Sequence, residues 1–99
     1  MANFYALRRV SIDLPVSVGT ASTLVAAANE HRKYLLIVNT SNQDFWIRLG
    51  TAAAVSTGLF VARNGFAYEI DNNNLWVGDV FAVHTGVGGT RVASVLELS

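Results

Sequence analysis

The chain has 99 residues, 52% of them hydrophobic and 14% charged, with seven basic and seven acidic side chains and no cysteine. That length fits one domain with a modest core, the balanced charge argues against nonspecific nucleic-acid binding, and the missing cysteine excludes disulfides and thiolate metal sites. Ordinary globular chains carry roughly 25% charged residues, so part of this surface is expected to be covered by something other than water, most simply by other copies of the chain.

The N-terminus, Met1-Ala2-Asn3-Phe4-Tyr5, lacks the basic head and long apolar stretch of a signal peptide. No apolar run approaches the roughly 20 residues that span a bilayer. The expectation is a soluble chain made in a cytoplasm, with no membrane partner and an extended arm at 1–6. Val10, Ile12 and Leu14 alternate with Arg9, Ser11 and Asp13, the pattern of a half-buried strand that Pro15 ends or marks as an edge. Gly19-Thr20 signals a turn. Residues 22–28 fit either a short capped helix or a strand, and the strand-rich surroundings favour the strand.

Tyr34–Asn39 reads as a strand apolar on both faces. Thr40-Ser41-Asn42-Gln43 is a turn, and Phe45–Leu49 returns as its hairpin partner. In that second strand Phe45, Ile47 and Leu49 share one side, while Trp46 and Arg48 share the other. A small-residue loop follows, and Gly58 opens a strand at 59–62. Asn64-Gly65 is the strongest short hairpin signal in the chain. Phe66, Tyr68 and Ile70 then alternate with Ala67 and Glu69. Asp71-Asn72-Asn73-Asn74 is a polar turn. Short strands are expected at 75–77 and 80–85, then a turn at 86–89 and a last strand at 90–98. Its two faces are Val92, Ser94, Leu96, Leu98 and Arg91, Ala93, Val95, Glu97. About eight or nine short strands at such intervals indicate a single all-β domain, an antiparallel sandwich or barrel of jelly-roll-like type.

Candidate chemistry is sparse. His31 sits in a turn, and His84 lies on a strand where it is expected to face solvent or a subunit contact. No local spacing of histidines suits zinc, and no Gly-x-Ser-x-Gly elbow is present. Glu69, Asp71 and Asp79 could converge on calcium, but turn chemistry alone explains the Asn run. Gly86-Val87-Gly88-Gly89 lacks the Gly-Lys-Ser/Thr ending of a phosphate loop. No cofactor, metal or catalytic residue is therefore expected. Trp46, Trp76, Tyr34, Tyr68 and Phe66 could build a sugar-stacking platform, but in a chain so poor in charge packing is the commoner use of aromatic residues. Trp46 and Arg48 form the most plausible contact face, because Trp and Arg are enriched at interface hot spots. Trp76 is the next candidate for partner contact.

The segment "RKYLLIVNTSNQDFWIRLG", with "GLFVARNGFAYEI" and the final "VFAVHTGVGGTRVASVLEL", resembles a group of small tailed-bacteriophage and prophage proteins. The shared pattern falls on Arg32 to Ser41, Phe45 to Gly50, Gly58 to Ile70 and Val95 to Glu97, within a resemblance that covers about residues 24–98. It implies a non-enzymatic β-sandwich component of the virion, such as a capsid decoration or cement protein. It implies self-association, with a trimer suggested by virion symmetry alone, and contact with the major capsid protein or another virion protein. The location implied is the virion, assembled in the host cytoplasm. The alternative is a tail or fibre accessory that binds carbohydrate through Trp46 or Trp76.

Overall fold

The computed structural model describes residues 9–86 and 91–99. The expected arm at 1–6 and most of the turn at 86–89 lie outside the described residues. Eight strands form: β1 (Val10–Val18), β2 (Thr23–Ala26), β3 (Tyr34–Asn39), β4 (Phe45–Leu49), β5 (Leu59–Val61), β6 (Ala67–Ile70), β7 (Val80–His84) and β8 (Arg91–Leu98). They make two four-stranded sheets, ordered β1-β8-β3-β6 and β2-β7-β4-β5. Every pairing is antiparallel. Each strand pairs with its counterpart counted from the other end of the chain, β1 with β8, β2 with β7, β3 with β6 and β4 with β5. That is the order of an eight-stranded jelly roll.

This topology overturns two expected hairpins. β3 and β4 lie in different sheets, and so do β5 and β6. Asn64 and Gly65 do adopt positive φ, at 66° and 101°. Yet their amides donate to Ser41 and Asn39 carbonyls, so the turn extends the β3/β6 ladder instead of folding β5 onto β6. Turn residues tell where a chain reverses, not whether it returns to its own sheet or to the facing one. Residues 75–77 form no strand and belong to the loop before β7.

The core lies between the sheets. Leu35, Ile37, Ala93, Val95, Ile70 and Val18 meet Phe45, Ile47, Val61, Val80, Ala82 and Ala26 there. β3 is therefore buried on one face only. Leu36 and Val38 point outward and are half-buried, because among the described residues no third layer covers that side. β1 is more exposed than its alternation suggests, since Val10 and Leu14 retain 62% and 50% of their surface. It is an edge strand of nine residues, and the facing edge strand β2 has only four. Pro15 stands inside it, where an edge tolerates a missing backbone donor.

One buried polar residue ties the two sheets together. Buried Asn39 donates to the carbonyls of Gln43 and Val61, and its side-chain oxygen accepts from the Ser41 amide and hydroxyl. It thus links β3 to β5 in the other sheet. At Gly58 (φ 85°) an added Cβ would collide with the Ile47 carbonyl oxygen. Gly58→Ala combines a left-handed backbone with a rigid clash, so it should destabilise by about 2 kcal/mol or more. A shift in the urea midpoint at unchanged m-value checks this.

Candidate functional site

Side chains two apart on a strand share a face. In the sheet β2-β7-β4-β5, the outward positions fall into two cross-strand rows. One row is Leu24, Phe81 and Arg48, and the other is Val83, Trp46 and Phe60. Leu24 and Phe60 keep 46% and 53% of their surface in contact with water. Trp46 and Phe81 are half-buried. Val83 is buried yet stands outside the interior cluster, as an outward residue under its neighbours should. The Trp46 and Phe60 rings pack with centroids 4.9 Å apart and tilted by 57°, a favourable aromatic arrangement.

The sequence pattern placed Trp46 and Arg48 together on this face, and the structure does the same. It missed Leu24, Phe60 and Phe81, which join them through pairings between distant strands. Arg48 is exposed and makes no hydrogen bond or ion pair among the described residues. It is also the one charged residue in the four strands of this sheet. The Trp46 indole N–H is buried and meets no hydrogen-bond acceptor among the described residues. Beside β4, Asp44 accepts hydrogen bonds from Arg63 at 3.0–3.2 Å. Those bonds hold the Asp44 carboxyl below its ordinary value.

Trp76 lies elsewhere, in the loop between β6 and β7. Its ring is gripped by backbone, since a Cβ on Gly50 or Gly78 would stand 2.8 or 2.6 Å from it. Its indole N–H donates to the Asp79 carbonyl at 2.9 Å. The ring is thus spent on packing against the core.

The remaining candidates for chemistry are also occupied. His84 faces the interior instead of solvent or a contact surface, and its Nδ1 accepts from the Gly86 amide at 3.0 Å. Its inward aim follows from its place opposite Phe45, in register with Val80 and Ala82. Asp71 and Asn74 cap their own turn, and the Asp79 carboxylate accepts from the Ala28 amide. Among the described residues no three His, Asp or Glu side chains come together as metal ligands would.

A buried ion pair went unread in the sequence. Arg32 and Glu97 are 1% and 2% exposed, and Arg32 Nε donates to Glu97 Oε2 at 2.5 Å. Arg32 also donates to the carbonyls of Trp76, Gly78 and Ala27 at 2.8–2.9 Å. Glu97 Oε1 accepts from Ser11 at 2.6 Å and Asn29 at 3.0 Å. These bonds join Ser11, the 27–32 segment, the 76–78 segment and Glu97, so the cluster clamps four chain segments together. Comparison of the chain with protein-family models, with curated proteins and with solved structures finds no match.

Proposed function

We propose that the chain is a non-enzymatic virion structural protein of a tailed phage or prophage, a capsid decoration or cement protein that associates with itself and with the capsid surface. The observation that carries this reading is the outer face of the β2-β7-β4-β5 sheet. It is apolar, has one cation and no anion in its strands, and centres on Trp46 and Phe60. Such a face is built to be covered. Aromatic residues and Arg with depleted acidic groups are the composition of an interface centre. The jelly roll recurs in viral capsid domains, which supports the reading by analogy of fold. The resemblance of the Arg32 to Gly50 segment to small phage proteins points the same way.

The test is the protein composition of purified virions. The chain should be present at a copy number commensurate with the capsid lattice, and labelled protein should bind capsids stripped of it. Trp46→Ala should weaken that occupancy by at least about 2 kcal/mol, a hot-spot loss, while its circular dichroism stays that of the parent. Absence from virions overturns the reading. Intact virion binding by the Trp46→Ala protein together with loss of binding on a glycan array would transfer the function to sugar recognition.

A further inference from the structure

The two outer faces of the sandwich carry opposite charge. In the β2-β7-β4-β5 sheet the outward charge is Arg48. In the β1-β8-β3-β6 sheet Glu97 and Arg91 lie on the inward side of β8, and the outward charges within strands are Asp13 and Glu69. Both acids stand in one cross-strand row, Asp13, Leu96, Leu36, Glu69. The neighbouring row, Pro15, Ser94, Val38, Ala67, is uncharged. Leu36, Val38 and Leu96 are half-buried, and Val92 on the same side is 43% exposed. Two leucines with an acid at each end thus face outward from one sheet, and an aromatic patch with one cation faces outward from the other.

We propose that the partner of the Trp46 face is the β1-β8-β3-β6 outer face of a second copy, stacked head to tail, which rests on the reading above that the chain self-associates. Pairing the Trp46 face with its own twin would bring two Arg48 cations into one apolar contact with no carboxylate in the strands to meet them. The opposite sheet supplies the acids. Arg48 sits on the third of four strands, so stacking row on row sets it over Leu36 in one direction and over Leu96 in the other. Either way a carboxylate, Glu69 or Asp13, stands one strand spacing away, about 4.8 Å, within reach of a long Arg side chain. Glu69 already accepts from the Tyr34 hydroxyl through Oε2 at 2.5 Å, which holds it in place. A contact between two different faces is heterologous. In a pair each copy keeps one face free, so the assembly grows into a closed ring or an open filament.

Charge reversal tests this by sedimentation velocity across a concentration series. Arg48→Glu should weaken self-association at least tenfold. Asp13→Arg with Glu69→Arg should do the same, although those residues lie on the opposite side of the molecule. The chain carrying all three reversals should recover assembly to within about threefold of the parent. Circular dichroism confirms that each variant is folded, and Asp13→Asn with Glu69→Gln serves should the reversed acids fail to fold. Loss with Arg48→Glu but none with the acid-face variants would show that the Trp46 face pairs with itself, and would overturn the proposal. So would a parent protein that stays monomeric throughout the series. Neither outcome touches virion occupancy, which is measured on the particle.

Discussion

Replacing Arg32 by Ala should destabilise the protein by about 3–5 kcal/mol, the usual loss when one partner of a buried ion pair is removed. A domain of this size has a total stability of about 5–15 kcal/mol, so the variant stands near the edge of folding. The loss has three sources. Glu97 becomes a buried carboxylate without its cation. The carbonyls of Trp76, Gly78 and Ala27 lose their donors. The loops before β3 and before β7 lose the clamp that joins them to β8. Arg32→Lys should recover only part of this, since one ammonium cannot spread over Glu97 Oε2 and three carbonyls as a planar guanidinium does. Urea unfolding of the three proteins at neutral pH measures both steps, and a Lys variant as stable as the parent would remove the fork geometry from the account.

The same cluster sets an acid limit. Burial alone pushes the Glu97 carboxyl up, but hydrogen bonds from Ser11, Asn29 and Arg32, with the charge of Arg32, outweigh it and hold the group below its ordinary value. A carboxyl lowered in the folded state binds fewer protons there than in the unfolded chain. Its contribution is therefore complete above the ordinary glutamate value of about 4.3 and is lost as pH falls through the lower folded value. The urea midpoint of the parent should drop across that window. Glu97→Gln should be less stable at neutral pH and should show a flatter acid dependence. An unchanged acid slope would assign the effect to other carboxyls, of which Asp44 is also held low, by Arg63.

Glu97 also shows where sequence patterning stops. β8 alternates cleanly, and its more apolar face by composition is Val92, Ser94, Leu96 and Leu98. The buried face is the other one, Arg91, Ala93, Val95 and Glu97. Glu97 can turn inward because Arg32, 65 residues away in the chain, neutralises it. No local period reports a partner at that distance. β4 is the opposite case. Its inward Phe45 and Ile47 and outward Trp46 and Arg48 were legible because a two-residue period decides faces within one strand. Strand pairing was not legible, since Thr40 to Gln43 and Asn64-Gly65 reverse the chain by chemistry that serves a crossing between sheets as well as a hairpin. The proposed contact face was consequently half legible. Trp46 and Arg48 came from one strand, whereas Leu24, Phe60 and Phe81 reach them through ladders joining distant segments, as do the acids of the opposite face.

Leu35→Ala should cost about 2–5 kcal/mol, and Leu36→Ala about 1 kcal/mol or less. The two leucines are adjacent, and a doubly apolar reading of Tyr34–Asn39 would make them equivalent. The structure separates them. Leu35 is fully buried between the sheets, in register with Ile70. Leu36 is half-buried on the outer face, between Leu96 and Glu69. Truncating Leu35 removes transfer energy and leaves a cavity in a packed core, whereas water fills the space left at Leu36. The comparison belongs at dilute concentration, where a second copy cannot cover the outer face. Leu36→Ala should then have its larger effect elsewhere, by weakening the proposed head-to-tail stacking against the Trp46 face while the unfolding midpoint stays near that of the parent. Equal losses at high dilution would mean that β3 is buried on both sides within a single copy, and the outer face would have to be redrawn without it.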